Sequence, residues 1–180
     1  MRKILIGALI AMTALTAKAQ EIADETPKAA VNWLTLEEAQ ALNAEAPRKI
    51  FIAFYTDWCG WCKVLNNNTF QNPEVAKYLN ALFYPVRFDG QGKEPAVFNG
   101  QTFNFNPQHK YHDLAVELLQ SNMAFPSTIL LIEDSRILIP GYMPPEGLLP
   151  ILIYFGYNYY QKISWEDFQQ LFKIFSEIQL

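Results

Sequence analysis

The chain has 180 residues, of which 51% are hydrophobic, 14% aromatic and 18% charged. This size and hydrophobic share predict one domain with a substantial core. The formal net charge is −4, and basic clusters are few, which excludes nucleic acid as an expected partner.

The first residues are typical of an export signal. Residues 1–3 are basic at two positions, residues 4–15 are uncharged and mainly apolar, and residues 17–19 fit a small-x-small cleavage pattern. The apolar stretch is shorter than the roughly 20 residues of a membrane-spanning helix. We expect a signal peptide at 1–19, cleavage before Gln20 and no stable membrane span afterwards. The alternatives are an uncleaved anchor and a buried first helix.

Cleavage would remove three basic residues and no acidic one, which changes the formal net charge from −4 to −7. The expected compartment is the periplasm, with the extracellular space as the alternative. Residues 20–32 are polar without periodicity, so we expect a loose N-terminal arm before a domain at 33–180.

The domain begins with a predicted helix. Thr35 and Glu38 form a capping box, and the helix should end before Pro47. Residues 49–55 are apolar at nearly every position, which is typical of a strand in the middle of a sheet. A second helix follows this strand and extends to about Phe70.

The only two cysteines, Cys59 and Cys62, lie at the start of that second helix. Positions i and i+3 are about 5–6 Å apart on a helix, which suits a disulfide. Unpaired N–H groups and the positive dipole end favour a thiolate there. A bridge over so short a loop adds little stability, and zinc normally needs four ligands. The spacing therefore favours redox chemistry over metal binding or inert packing.

The middle of the chain predicts a helix at 74–82, opened by Pro73, and a strand at 83–88. Asn99-Gly100 between short apolar runs indicates a hairpin, and the spacing in 111–121 indicates a helix. His109 and His112 lack an evident third ligand, so we interpret them as solvated or capping residues rather than a metal site.

Further on, residues 128–133 and 136–139 predict an antiparallel strand pair, followed by a helix at 145–154. Ser164 and Asp167 predict a capped C-terminal helix that ends near residue 178. The aromatic residues between these two helices should pack beneath the last helix: Tyr154, Phe155, Tyr157, Tyr159 and Tyr160. The predicted fold class is α/β, with a mixed central sheet flanked by helices.

These elements together resemble the thioredoxin-like superfamily. The resemblance rests on the strand that leads into Trp58-Cys59-Gly60-Trp61-Cys62-Lys63, on Phe125-Pro126 just before a later strand, and on Gly141. The opening at Trp33 and the Gly-Trp dipeptide look most like exported bacterial proteins related to the C-terminal domain of thiol:disulfide interchange proteins. Compared with the compact core, 90–121 is then a hairpin-containing insertion and the last helix is extra.

The resemblance implies a role for each matched residue. Cys59, exposed at the helix start, would attack a substrate disulfide, and the more buried Cys62 would resolve the mixed disulfide. Pro126 would be the family's cis-proline and, with Phe125, would help to bind the substrate backbone. We expect no cofactor; the expected partners are disulfide-containing client proteins and an unidentified redox partner.

Other residues near the cysteines carry open alternatives. Trp58 and Trp61, with Gly60 between the cysteines, would help to bind a substrate, although Trp58 could equally be core. Lys63 would support a thiolate or remain solvated. The family often has a buried Asp where this chain has Ala53, so Asp57 or water is the candidate to handle the proton.

The function predicted from the sequence is an exported thiol–disulfide oxidoreductase that reduces protein disulfides. Oxidase and isomerase are the related alternatives, because the dipeptide between the cysteines does not fix the direction of electron transfer. The alternative from another class is a Cu(I)-handling or redox-silent binding module, since two thiolates suit a soft ion. A protein-interaction domain that uses the hairpin is a third hypothesis.

Overall fold

The computed structural model describes residues 30–120 and 122–178. The predicted signal peptide at 1–19 and most of the predicted arm lie outside these residues. Residues 31 and 32 at the end of the arm are not loose, contrary to our expectation. Val31 is buried in the core, and the backbone N–H of Asn32 donates to Asn80 Oδ1 at 2.9 Å. These contacts tie the chain to the body of the domain two residues before Trp33.

The described part of the chain alternates helices and strands around one main sheet. The helices are α1 (Leu36–Glu45), α2 (Gly60–Leu65), α3 (Pro73–Leu82), α4 (Asp113–Leu119), α5 (Pro145–Gly156) and α6 (Trp165–Ile178). The strands are β1 (Lys49–Tyr55), β2 (Phe83–Asp89), β3 (Ala96–Phe98), β4 (Gln101–Phe103), β5 (Phe105–Asn106), β6 (Tyr111–His112), β7 (Ser127–Ile132) and β8 (Ser135–Pro140). None of the helices in the described ranges is long and apolar enough to cross a membrane.

The main sheet has the strand order β2-β1-β7-β8. Strand β1 pairs with β2 in parallel and with β7 antiparallel, and β7 pairs with β8 antiparallel. The mixed sheet flanked by helices confirms the predicted α/β, thioredoxin-like fold class. β1 is one of the two inner strands of the sheet. The cysteine loop follows the C-terminal end of β1 and therefore lies near the middle of that end of the sheet.

Both faces of β1 are buried, which explains why its sequence is apolar at nearly every position. Alternate side chains of a strand point to opposite faces. Phe51 and Ala53 lie in a core with α3 and α5, whereas Ile50, Ile52 and Phe54 lie in a second core with α1 and α4. The two cores hold β1 rigidly, and β1 carries the cysteine loop.

Most predicted element bounds are confirmed to within two residues. The capping box of α1 is present, with Thr35 Oγ1 accepting from the Glu38 N–H and Glu38 accepting from the Thr35 N–H. Asn72 caps α3. The turn between β7 and β8 lies at 133–134 instead of 134–135, with Glu133 in the left-handed region at φ 52°.

The second helix differs from its predicted form. Its α-helical part ends at Leu65, and the chain continues as a π-helical turn over Asn66–Phe70. The buried Thr69 hydroxyl donates to the Met143 carbonyl at 2.7 Å. The long-range contact through Thr69 fixes the end of this segment against the chain before α5.

The insertion contains the predicted β3–β4 hairpin and a further, unpredicted pair, β5–β6. The hairpin is attached to α1, since the Gln40 side chain donates to the Val97 carbonyl at 2.7 Å and accepts from the Asn99 N–H at 2.9 Å. Helix α4 is shorter than predicted because residues 111 and 112 form β6.

Of the five aromatic residues predicted to pack beneath the last helix, Tyr154 and Tyr159 do so. The ring of Phe168 in α6 lies 5.0 Å from Tyr154 and 5.3 Å from Tyr159. Phe155 and Tyr160 instead lie 5.7 Å from each other and pack against the core that contains Phe51. Tyr157 and Tyr159 are exposed. At the start of α6, the Ser164 hydroxyl accepts from the Asp167 N–H at 3.1 Å, so this predicted cap is present.

Candidate active site

Cys59 and Cys62 lie at the N-terminus of α2, where β1 has just ended. Cys59 is the N-cap residue, and its Sγ accepts from the Cys62 backbone N–H at 3.0 Å. The two residues form a disulfide with their Cα atoms 5.3 Å apart. A sulfur that caps a helix N-terminus is stabilised as a thiolate by the backbone N–H groups and the helix dipole.

The expected difference in exposure between the two cysteines is wrong. Cys59 is 3% exposed and Cys62 is 7% exposed, so Cys62 is not the more buried residue. The flanking tryptophans project into solvent instead, with Trp58 64% and Trp61 62% exposed. In the disulfide form, the feature that distinguishes the two sulfurs is therefore the N-cap position of Cys59.

The Phe125-Pro126 peptide bond is cis, as predicted. Pro126 precedes β7, and its carbonyl accepts from the Gly141 N–H at 2.9 Å. Pro126 also lines a pocket of about 230 Å³ together with Trp61, Phe125, Gly141 and Tyr142. The tryptophan between the cysteines and the proline loop therefore form one surface.

Four aromatic side chains border this surface, and we call them the aromatic rim: the exposed Trp58 and Trp61 and the half-buried Phe125 and Tyr142. The Trp58 ring meets the Phe125 ring edge-on at 6.4 Å, and the Trp61 ring lies 5.7 Å from Tyr142. Because Trp58 is exposed, it does not belong to the hydrophobic core, which was the alternative considered from the sequence. Tyr142 is a rim residue that the sequence analysis did not single out.

The insertion holds one side of the rim. The Trp58 indole N–H donates to Gln91 Oε1 at 2.8 Å, and the Gln91 side chain donates to the Lys110 carbonyl at 3.0 Å. The Tyr111 ring lies 5.8 Å from Phe125. Gln91 was also missed from the sequence, because a glutamine in a turn gives no signal of a long-range contact.

A second pocket of about 240 Å³ borders Cys62 and shares no lining residue with the first. Its polar and charged lining comprises Tyr55, Thr56, Asp57, Lys63, Asn66, Asn67 and Arg87. Asp57 and Lys63 are therefore both close to Cys62, and both are exposed. Burial raises the pKa of Tyr55, and the Asp89 carboxylate adds to this effect.

The two histidines have the roles that the sequence analysis favoured. His112 is buried and caps α4 by accepting from the Leu114 N–H at 3.2 Å. His109 is partly exposed and lies 3.3 Å from Asp113. Within residues 30–120 and 122–178, no group of three or more His, Cys, Asp or Glu residues could hold a metal ion.

Comparison with known proteins places the chain in a family. A family model described as a thioredoxin-like domain matches residues 36–156. The thiol:disulfide interchange protein DsbD of Photorhabdus laumondii is 28% identical over 108 residues, which cover 59% of this chain and 16% of that protein. The chain thus matches about a sixth of the length of this relative.

One solved structure shows the same fold, and a second is reported as similar. A thioredoxin-fold protein from Helicobacter pylori has a TM-score of 0.54 at 16% identity, covering 73% of this chain and 83% of the other. The oxidised C-terminal domain of Neisseria meningitidis DsbD has a TM-score of 0.47 at 19% identity, covering 66% and 90%.

The matched region includes β1, both cysteines, the cis-proline and Gly141. The chain belongs to the thioredoxin-like domain family and carries the Cys-x-x-Cys pair of its thiol–disulfide oxidoreductases.

Proposed function

We propose that this protein is an exported thiol–disulfide oxidoreductase that reduces disulfides in client proteins through Cys59 and Cys62. The observation that carries the proposal is the Cys59 sulfur, which caps a helix N-terminus and accepts a backbone N–H at 3.0 Å. That position stabilises a thiolate, the form of cysteine that attacks a disulfide.

The reaction takes place in two exchanges. The Cys59 thiolate attacks one sulfur of the client disulfide, the client S–S bond breaks, and the second client sulfur leaves as a thiolate that takes a proton from water. Cys62 then loses its proton and attacks Cys59 Sγ, which releases the first client sulfur. The client gains two electrons and the protein becomes the Cys59–Cys62 disulfide. A separate dithiol partner must reduce this disulfide before the next cycle.

The aromatic rim supports binding of a polypeptide beside the sulfurs. Exposed Trp and Tyr side chains give large contact areas at a small entropic cost. Gly60 leaves the space between the two tryptophans open, since a Cβ there would meet no atom within 4 Å. We infer that Phe125 and Pro126 contact the backbone of the client next to its disulfide.

The proposal also covers the direction of electron transfer and the location of the protein. The Trp-Cys-Gly-x-Cys-Lys frame resembles reducing members of the superfamily, so we expect a potential near the thioredoxin value of about −270 mV and not near the oxidising extreme of about −120 mV. The residues before position 20 support export, and the intact mass of the exported protein should correspond to cleavage before Gln20.

Reduction of insulin with dithiothreitol as the electron donor tests the activity. The full chain should accelerate precipitation of the insulin B chain, and the Cys59→Ser variant should not. Equal rates for the two proteins would refute the proposal. Cu(I) retained by the protein through a desalting column would then favour the metal-handling alternative.

A further inference from the structure

The second exchange requires Cys62 to lose a proton, since only a thiolate attacks the mixed disulfide at a useful rate. Ala53 of β1, six residues before Cys59, stands where the family often has a buried Asp, and its methyl side chain cannot accept a proton. Its partner on β2 is Arg87. The strand pair beneath the cysteines therefore supplies a cation and no acid at this position.

The pocket beside Cys62 offers a route for the proton. Thr56 is 2% exposed, lines this pocket, and its hydroxyl has no hydrogen-bond partner among the described residues. Buried hydroxyl groups nearly always have a partner. A pocket of about 240 Å³ with a mainly polar lining is large enough for several water molecules, each of about 30 Å³ in the liquid. Water in this pocket would satisfy Thr56 and reach Cys62.

Arg87 is exposed, but its guanidinium lies over two aromatic rings beside this pocket. Its guanidinium carbon lies 4.6 Å from the centre of the Tyr55 ring and 5.8 Å from the centre of the Trp33 ring. Stacking on aromatic faces fixes an arginine side chain. In the described part of the chain, Arg87 has no acidic partner within ion-pair distance.

The other titratable groups around Cys62 come from three elements. Asp57 is in the loop after β1, Lys63 is on α2, and Tyr55 is at the end of β1. The phenol of Tyr142 lines the other pocket, with the aromatic rim. Among the residues that line the pocket there are two cations and one carboxylate, and the carboxylate of Asp89 acts on Tyr55 from outside this lining. The two lining cations favour an anion at Cys62.

We propose that Arg87 is a positioning residue for the resolving step: acting across the water-accessible pocket, it stabilises the Cys62 thiolate, and the proton leaves to water in that pocket. This inference rests on the proposed function. The S–H bond of Cys62 breaks and water accepts the proton. The sulfur electron pair then forms the bond to Cys59 Sγ, and the bond between Cys59 and the client sulfur breaks towards the client.

The test uses the full chain with Cys59→Ser, in which Cys62 is the only thiol. The rate of alkylation by iodoacetamide is measured between pH 5 and pH 10 to give the midpoint of thiolate formation. Adding Arg87→Gln should raise the midpoint, so that the alkylation rate at neutral pH falls about three- to tenfold. Arg87→Lys should restore most of the loss.

Arg48→Gln is the matched control. Arg48 also lies over a tyrosine ring, at 5.2 Å from the centre of Tyr84, but it precedes β1 and is at the far end of the sheet. Its replacement should leave the midpoint unchanged. Asp57→Asn should lower the midpoint, because it removes the one carboxylate among the residues that line the pocket.

An unchanged midpoint in Arg87→Gln, or the same shift in Arg48→Gln, would overturn the inference. If Arg87→Gln does not fold, as judged by near-ultraviolet circular dichroism, salt provides the second measurement on the Cys59→Ser protein. Raising the salt from 10 mM to 1 M should raise the midpoint, because screening weakens the attraction, and no rise would overturn the inference. No client is used, so this result is independent of insulin reduction.

Discussion

The backbone of Gly90 lies against the ring of Phe125. A Cβ at position 90 would overlap Cζ and Cε1 of that ring, and the Gly90 N–H donates to the Tyr55 carbonyl at 2.8 Å. The first residue of the insertion thus sets the position of the residue before the cis-proline. The insertion is part of the aromatic rim and not merely an addition to the surface.

Gly90→Ala should displace the Phe125 ring and weaken client binding. We expect KM for insulin reduction to rise about three- to tenfold, the equivalent of about 1 kcal/mol in binding, while reduction of a small disulfide such as hydroxyethyl disulfide is little changed. Gly92→Ala is the control in the same turn, where a Cβ would meet only Asp89. Equal changes for the large and the small substrate in Gly90→Ala would contradict this role.

Gln91→Ala should release the Trp58 side chain from the insertion, because the indole N–H loses its acceptor at 2.8 Å. We expect KM for insulin to rise and the Trp58 ring to become more mobile, seen as lower fluorescence anisotropy in a variant that retains Trp58 as its only tryptophan. Gln108→Ala, an exposed residue elsewhere in the insertion, serves as the control. Unchanged anisotropy in Gln91→Ala would argue against the anchoring contact.

Tyr55 gives the folded protein a pH dependence at alkaline pH. Burial, with Asp89 next in effect, raises the pKa of Tyr55 above its ordinary value of 10.0, whereas Arg87 opposes the shift. The unfolded chain therefore loses the Tyr55 proton first. The stabilising contribution is complete below pH 10 and is lost as the pH rises through the folded-state pKa.

Urea unfolding at pH 8 and pH 11 checks this prediction. The free energy of unfolding should fall less between these pH values in Tyr55→Phe than in the wild type, because phenylalanine does not titrate. An equal fall in both proteins would show that other groups cause the alkaline loss.

Phe168 packs the last helix against the rest of the domain through its contacts with Tyr154 and Tyr159. It is 5% exposed, whereas Phe175 on the same helix is 65% exposed. Phe168→Ala should lower the free energy of unfolding by about 3 kcal/mol, the usual cost of a buried Phe-to-Ala change. Phe175→Ala should change it by less than about 0.5 kcal/mol. Chemical denaturation measures both, and similar losses would contradict the packing described for α6.

Local patterns in the sequence were sufficient for most of the fold. Thr35 with Glu38, Pro73 at a helix start and Asn99-Gly100 in a turn each act over a few residues, so their elements could be predicted. The β5–β6 pair could not, because it has two residues on each strand and depends on a distant contact from the His112 N–H to the Gly90 carbonyl at 2.8 Å.

The chemistry of the site was predictable in part for the same reason. Cys59, Cys62 and Pro126 belong to a recognisable spacing. The burial of Cys59 was not predictable, since its exposure depends on tertiary contacts. The contacts of Gln91 and Tyr142 with the rim and the proposed role of Arg87 were not predictable either. Each of these three acts through a partner on another element, and no local pattern in the sequence identifies such a partner.

The most direct test of the assigned order of attack is capture of the mixed disulfide. Reduced Cys62→Ser and reduced Cys59→Ser are each mixed with a disulfide-containing peptide at pH 7, and intact masses are recorded over time. The account predicts that Cys62→Ser accumulates a covalent adduct through Cys59, and that Cys59→Ser forms it at least about tenfold more slowly. Equal adduct formation by the two variants, or faster formation by Cys59→Ser, would contradict the assignment of Cys59 as the attacking residue.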